Sequence, residues 1–143
     1  MSIWHREISL EEIKQYEKGT MVEYLGIEVI ELGDNFVKAT MPVDYRTHQP
    51  MGILHGGASV VLAETAASLG AQLVVGKEFR CVGLDINANH IRAVKSGIVT
   101  ATATPFHLGK STQVWQIKIE NENNQLICIS RLTVSVLKIP SQE

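Results

Sequence analysis

The sequence is poor in cysteine, with only Cys81 and Cys128 among its 143 residues. Both are flanked by apolar residues in segments with strand character, so we expect two free thiols in a reducing compartment rather than a disulfide. No C-x-x-C pair and no short spacing of His and Glu ligands is present. We therefore expect no metal site and no cofactor. The G-x-S-x-G and P-loop motifs are also absent. Their absence argues against a serine nucleophile on a strand-to-helix turn and against a phosphate-binding P-loop.

The chain also lacks a large excess of charge of either sign: it has 13 Lys and Arg and 15 Asp and Glu, and the basic residues form no run. We therefore expect no nucleic-acid partner and no membrane-surface helix. Residues 1–7 lack the apolar core of a secretory signal. The longest apolar span, residues 58–75, contains Glu64, Ser68 and Gln72, which argues against a transmembrane helix. A cytoplasmic protein without a membrane partner is expected.

Hydrophobic residues make up 45% of the chain, which suits one globular domain, expected over residues 1–143. Ser9 and Glu12 form a capping-box pattern that predicts a short helix ending near Gly19. A long helix is predicted over residues 58–75. Alternating and apolar runs predict about six strands, at 27–32, 36–41, 79–94, 98–106, 113–120 and 126–137, with 79–94 interrupted near 87–89.

The long helix is apolar on nearly every face, so we expect it to be buried on all sides. An antiparallel sheet curled around a central helix achieves this and gives an α+β fold. Such a sheet still leaves an edge and a face uncovered, and we therefore expect an oligomer.

One carboxylate, Glu64, lies in this apolar helix. A lone buried Glu is costly unless it has partners. Ser68 and Gln72 follow at i+4 and i+8 and share its face. Spacing alone leaves two interpretations open: a polar stripe that faces a loop or a subunit boundary, or part of a functional site.

The loop before the helix favours the functional interpretation. Gln49, Pro50, His55, Gly56 and Gly57 fall within nine residues. Glycines let the backbone approach a ligand closely, and the free N–H groups at a helix N-terminus stabilise negative charge. A carboxylate, an imidazole and such donors together indicate an acyl-transfer site.

Other polar residues are less specific. His90 and Arg92 follow a strand and could contact an anionic group such as a phosphate, although a solvated strand end is the alternative. His107 and Lys110 flank Gly109 and are similarly ambiguous. No base accompanies Ser59, which we interpret as a helix-start residue.

The run from Gln49 through His55-Gly56-Gly57 to Glu64 resembles the hotdog-fold acyl-CoA thioesterases. Residues 83–92, 114–117 and 130–133 extend the resemblance over nearly the whole chain. It is greatest to the branch that hydrolyses 1,4-dihydroxy-2-naphthoyl-CoA in menaquinone biosynthesis. The resemblance implies a six-stranded antiparallel sheet wrapped around a long central helix. It also implies a dimer, usually paired into a homotetramer, with active sites between subunits.

The resemblance also implies roles for five residues. Glu64 is the general base or the nucleophile. The Gly56 N–H polarises the thioester carbonyl, and Gln49 and His55 hold the thioester group. Ser68 helps to position water.

Coenzyme A contacts are implied for His90 and Arg92 and for the segment 107–113, which includes Lys110 and Ser111. Here the chain has Lys-Ser-Thr at 110–112 where the nearest relatives carry Ser-Arg-His, so this part of the pattern departs from the family.

The leading hypothesis is hydrolysis of aromatic acyl-CoA thioesters, first of all 1,4-dihydroxy-2-naphthoyl-CoA. The alternatives are a proofreading thioesterase for misloaded aryl carrier protein in siderophore synthesis and a broad acyl-CoA thioesterase. A dehydratase for 3-hydroxyacyl thioesters and a non-catalytic acyl-CoA binder are less favoured. The glycine pair after His55 argues against the dehydratase, and the presence of Glu64 argues against the binder.

Overall fold

The computed structural model describes residues 1–141. It contains a long helix and six strands, as predicted. The elements are α1 (Leu10–Glu17), α2 (Met21–Tyr24), β1 (Glu28–Leu32), β2 (Val37–Pro42), α3 (Gly56–Val74), β3 (Phe79–His90), β4 (Ile98–Leu108), β5 (Thr112–Glu120) and β6 (Leu126–Lys138).

All six strands form one antiparallel sheet in the order β1-β2-β4-β5-β6-β3. Helix α3 packs against β2 to β6, and the core lies between helix and sheet. Inward-facing side chains alternate along the strands, as the period-two pattern predicts. The largest fully buried side chains of the core are Leu62 on α3 and, on the strands, Met41, Trp115, Ile117, Ile119 and Leu132. This is the α+β hotdog architecture that the sequence led us to expect.

The predicted cap of α1 is confirmed. The Ser9 Oγ accepts from the Glu12 N–H at 3.1 Å, and the Glu12 carboxylate accepts from the Ser9 N–H at 2.9 Å. Gly19 follows the helix with a φ of +77°, a conformation that glycine adopts without steric cost.

Helix α3 begins two residues earlier than predicted, because His55 rather than a later residue is its N-cap. At the other end, Arg6 supplies a cap that the local sequence does not reveal. Its guanidinium donates to the carbonyl oxygens of Val75 at 3.1 Å and Gly76 at 2.8 Å. Both ends of α3 are thus fixed by side chains that satisfy groups left unpaired by the helix.

The predicted interruption of β3 near residues 87–89 is wrong. Pairing with β6 continues through that stretch, and the irregularity is a bulge between Gly83 and Asp85. Asn87 and Asn89 simply point outward, so polar side chains there do not break the strand.

The expectation that α3 is buried on all sides is also wrong for a single chain. Its sheet-facing residues are buried, but Val61, Glu64, Ser68 and Leu69 are only half-buried. The sheet covers one side of the helix and leaves the other side partly open. By length and composition α3 could cross a membrane, a test that the core helix of a soluble protein also passes.

Strand β3 lies at one edge of the sheet, and no strand of residues 1–141 pairs with its outer side. Val82 and Leu84 on this strand are 42% and 65% exposed. An edge of twelve residues with apolar side chains is a surface that proteins usually cover.

Both cysteines are free, as expected; Cys128 is buried and Cys81 half-buried. Burial raises the pKa of both thiols, and Arg6 partly opposes this at Cys81. They are therefore protonated near neutral pH and are poor nucleophiles.

Candidate active site

The first turn of α3 presents an unpaired backbone donor. His55 Nδ1 accepts from the Gly57 N–H at 2.8 Å. Within residues 1–141, the Gly56 N–H donates to no acceptor. Gly56 is therefore the donor at this helix start that is free to bind an anionic oxygen, and the helix dipole adds to that tendency.

The same cap fixes the tautomer of neutral His55. Because Nδ1 accepts a hydrogen bond, the ring proton is carried by Nε2. The side chain is exposed, so Nε2–H can donate to a ligand. His55 thus provides a second donor close to the Gly56 N–H.

The loop that carries His55 is held firmly to the core. The His55 N–H donates to the Thr47 carbonyl oxygen at 2.8 Å, and Leu54 N–H donates to the Val94 carbonyl oxygen at 2.8 Å. Thr47 is only 2% exposed, and its hydroxyl donates to the Pro42 carbonyl oxygen at 2.8 Å. These bonds place the imidazole relative to strand β2 and to the segment after β3.

Gln49 forms a tight turn in this loop. Its carbonyl oxygen accepts from the Gly52 N–H at 2.9 Å, and Gly52 has a φ of +77°. The Gln49 side-chain oxygen accepts from the Met51 N–H. Its amide NH₂ group has no acceptor within residues 1–141, so it too can donate to a ligand.

His90 and Arg92 come together with the helix start, as predicted. They line a cleft of about 330 Å³ with Gly56 and Ser59. His90 pairs with buried Cys128, so its side chain is on the face of the sheet that carries α3, where it remains exposed. A Cβ on Gly56 would lie 2.8 Å from His90 Nε2. The cleft therefore combines two cationic or donor side chains with the positive end of α3, which suits an anionic group.

Glu64 lies further along α3 and is half-buried. It makes no hydrogen bond and no ion pair within residues 1–141. Its carboxylate rests against β3, where a Cβ on Gly83 would be 3.2 Å from Glu64 Oε2. The single chain thus does not enclose this carboxylate as fully as expected, because the face of α3 that carries it is the partly open one.

The other two polar residues on this face differ from each other. Ser68 is half-buried and forms no side-chain hydrogen bond in the described chain. Gln72 instead ties α3 to β3, since its amide donates to the Phe79 carbonyl oxygen at 3.1 Å and accepts from the Cys81 N–H at 2.9 Å. Gln72 is therefore structural, whereas Ser68 is free to bind water near Glu64.

The backbones of Glu64 and Gly56 lie well apart on α3. They are eight residues apart on α3, which corresponds to about 12 Å along the helix axis. A reacting carbonyl carbon must lie about 3–3.5 Å from its attacking oxygen, and its oxygen about 2.7–3.1 Å from the donor. The axial separation of the two backbones is greater than either of these contact distances.

Lys110 and Ser111 lie at the β4–β5 hairpin, apart from the cleft of His90 and Arg92. Both are exposed. The Ser111 carbonyl oxygen accepts from the Val136 N–H, eight residues along β6 from the partner of His90, or about 26 Å. One chain does not bring these two groups of predicted coenzyme A contacts together.

Two residues with a place in this site were not identified from the sequence. Gly83 could have been noticed, because glycine inside a strand often marks a close approach by another group. No local pattern marks Thr47, because its hydrogen bonds with the backbone of Pro42 and His55 form only when the loop folds.

Comparisons with known proteins show what this chain is similar to. Residues 51–128 match the family model of the Thioesterase superfamily. The 1,4-dihydroxy-2-naphthoyl-CoA hydrolase of Escherichia coli strain K12 is 50% identical over 94% of this chain and 99% of that protein. The proofreading thioesterase EntH of Cronobacter turicensis is 47% identical over 94% of this chain and 98% of that protein. The crystal structure of a thioesterase from Haemophilus influenzae is similar with a TM-score of 0.95 at 50% identity, covering 99% of both chains.

Measurements of stability test the helix cap made by His55 separately from the donation of its Nε2–H to a ligand. Replacing an N-cap by Ala typically costs about 0.5–2 kcal/mol, so we expect His55→Ala to lower the free energy of unfolding by that amount. Asn is a good cap, and His55→Asn should remain near wild type. Urea denaturation at equal protein concentration measures both, with His5→Ala as the control for an exposed imidazole. Equal losses in the Ala and Asn variants would contradict the cap.

Proposed function

The chain belongs to the Thioesterase superfamily and is a thioester hydrolase, and on that basis we propose that its substrates are aromatic acyl-CoA thioesters, first of all 1,4-dihydroxy-2-naphthoyl-CoA. The products are the free acid and coenzyme A. The observation that carries the proposal is the unpaired Gly56 N–H beside the Nε2–H of His55 at the start of α3. The choice of acyl group is supported by 50% identity to a hydrolase of that thioester over nearly the full chain.

Hydrolysis needs stabilisation of the oxyanion that forms when the carbonyl is attacked. In the proposed mechanism this oxygen accepts from the Gly56 N–H, with further donation by His55 Nε2–H and the Gln49 amide. One such donor is typically worth about 2.7–4 kcal/mol of activation free energy. Its location at the N-terminus of a 19-residue helix adds the field of the helix dipole.

Glu64 supplies the other half of the reaction. It either removes a proton from the attacking water, which Ser68 positions, or adds to the carbonyl carbon itself and is released by water. In both routes a C–O bond forms, the C–S bond breaks, and the departing thiolate takes up a proton. The absence of a hydrogen-bonding or charged partner for Glu64 within residues 1–141 leaves its oxygens free for this step.

Because Glu64 and Gly56 of one chain lie about 12 Å apart along α3, we propose that the site forms between two chains. Glu64 and Ser68 come from one chain, and Gln49, His55 and Gly56 from the other. The unpaired edge of β3 and the half-covered face of α3 provide surfaces for such a dimer. We further propose that each chain is one hotdog domain over residues 1–143 and that two dimers form a tetramer.

The side chains of His90 and Arg92, and not the Gly56 N–H, are proposed to bind the phosphates of coenzyme A. Lys110 and Ser111 lie too far along the sheet to share that contact in one chain, so they are proposed to reach the coenzyme from another copy. The reaction is placed in menaquinone biosynthesis in the cytoplasm. The 3-hydroxyacyl dehydratase and the non-catalytic binder considered from the sequence find no support in the family match.

Loss of the carboxylate tests its role. Glu64→Gln and Glu64→Ala should lower kcat by roughly 10²–10⁴-fold, the usual span for a proton-transfer group. Release of the coenzyme A thiol measures the rate, and Glu78→Gln, an exposed glutamate at the start of the β3 region, is the matched control. Turnover near that of wild type in folded Glu64→Ala would overturn the assignment.

A substrate panel tests the acyl group. We expect kcat/KM to be highest for 1,4-dihydroxy-2-naphthoyl-CoA, lower for benzoyl-CoA, and lowest for a fatty acyl-CoA. Similarity to a proofreading thioesterase favours one competitor, an aryl group loaded on carrier protein, which belongs in the same panel. A higher kcat/KM for the carrier-bound aryl thioester would replace the proposed substrate and leave the hydrolase intact.

Mixing two inactive variants tests the shared site. Glu64→Ala and His55→Ala should each be inactive alone. After unfolding and refolding together, half of the dimers are mixed, and each mixed dimer has one intact site if the residues come from opposite chains. We therefore expect about a quarter of wild-type activity. A site contained within one chain would give no recovery.

A further inference from the structure

Strand β3 has a gap where it faces helix α3. Cross-strand pairs in a sheet point to the same side, so the inward positions of β3 are those that pair with buried residues of β6. They are Cys81, Gly83, Ile86, Ala88 and His90, opposite Val136, Val134, Leu132, Ser130 and Cys128. Gly83 alone in this row has no side chain, and the bulge follows directly after it.

The carboxylate of Glu64 occupies this gap. A Cβ built on Gly83 would lie 3.2 Å from Glu64 Oε2, 3.5 Å from its carboxyl carbon and 3.5 Å from Leu132 Cδ1. Contacts of 3.2 Å are tighter than ordinary van der Waals packing, so a methyl group would force the carboxylate to shift. Within residues 1–141 no hydrogen bond or ion pair holds Glu64, and its carboxylate lies against Gly83.

The backbone itself does not require glycine at this position. The glycines with positive φ are Gly19, Gly26, Gly52 and Gly97, and Gly83 is not among them. An L-residue could adopt the Gly83 conformation without strain. What Gly83 provides is therefore space on the inner face of the strand.

We infer that Gly83 is a positioning residue for the Glu64 carboxylate. The inference rests on the proposed function, in which Glu64 must approach a carbonyl carbon or a water molecule closely. A glutamate side chain has three rotatable bonds, and the gap limits where its end can lie. Misplacement of a reacting group by about 1 Å can lower the rate by roughly 10²-fold. A contact of 3.2 Å calls for a shift of a few tenths of an ångström, which would lower the rate by a smaller factor, roughly threefold to tenfold.

The main experiment compares Gly83→Ala, Glu64→Asp and the double variant with wild type. Hydrolysis of 1,4-dihydroxy-2-naphthoyl-CoA is measured by the release of the coenzyme A thiol. We expect Gly83→Ala to lower kcat by roughly threefold to tenfold with KM within about twofold of wild type. Aspartate is one methylene shorter and retreats from the gap. Gly83→Ala should therefore reduce kcat much less in the Glu64→Asp background than in wild type. An equal fold-loss in both backgrounds would mean a general structural effect and would overturn the inference.

Gly76→Ala is the matched control. A Cβ on Gly76 would lie 2.5 Å from a carboxylate oxygen of Glu78, so it crowds a glutamate outside the site, and does so more strongly than a Cβ on Gly83 crowds Glu64. Gly76 also has no positive φ. We expect this variant to keep kcat within about twofold of wild type. A loss in Gly76→Ala as large as that in Gly83→Ala would count against a specific role.

Thermal unfolding keeps the inference testable if Gly83→Ala alone does not fold. Removing the carboxylate with Glu64→Ala leaves room for the new methyl group. Gly83→Ala should therefore lower Tm by less in the Glu64→Ala background than in wild type, or the double variant should fold where the single one fails. Equal losses of Tm would overturn the inference.

The outcomes separate this inference from the proposed function. If Glu64→Ala hydrolyses the thioester normally, both fail. If Glu64→Ala is inactive while Gly83→Ala matches wild type in kcat, the proposed function stands and the role of Gly83 is wrong.

Discussion

Helix α3 begins with backbone N–H groups that have no partner inside the helix, and the site is arranged around that fact. One of these donors, at Gly57, is satisfied by His55 Nδ1. This bond leaves the Gly56 N–H and the His55 Nε2–H without an acceptor within residues 1–141. It also fixes the orientation of the His55 ring, and with it the direction of the Nε2–H. The loop from Thr47 to Leu54 is fixed to the core by main-chain hydrogen bonds, so the donors are in place before any ligand binds.

The length of α3 separates Gly56 from Glu64. A helix rises about 1.5 Å per residue, and eight residues separate the proposed oxyanion donor at Gly56 from the carboxylate of Glu64. In the proposed dimer each α3 contributes to two sites, with Gly56 in one site and Glu64 in the other. The partly open face of α3 and the unpaired edge of β3 fit this arrangement, because both surfaces are available for contact with a second chain.

Much of the fold could be predicted from the sequence, and the errors have physical causes. The capping box at Ser9, the alternating strands and the apolar helix depend on neighbouring residues, so local patterns reveal them. The bulge at Gly83 and the cap by Arg6 depend on residues distant in sequence and could not be located in that way. The start of α3 was misplaced because histidine is an uncommon N-cap. In the site, His90 was associated with an anionic ligand, but its contact with Gly56 arises from the register of β3 against β6.

The sequence by itself determined which chemical groups are present: a carboxylate on an apolar helix, an imidazole, and two glycines at the start of that helix. Their spacing along one chain is enough to indicate acyl transfer, because helix periodicity and helix-end chemistry act over a few residues. Only the tertiary structure decided which groups lie together. It placed His90 on Gly56 and Glu64 in the gap at Gly83, and it separated Lys110 and Ser111 from Arg92. These relations are set by strand register and helix packing, which bring together residues that no local pattern connects.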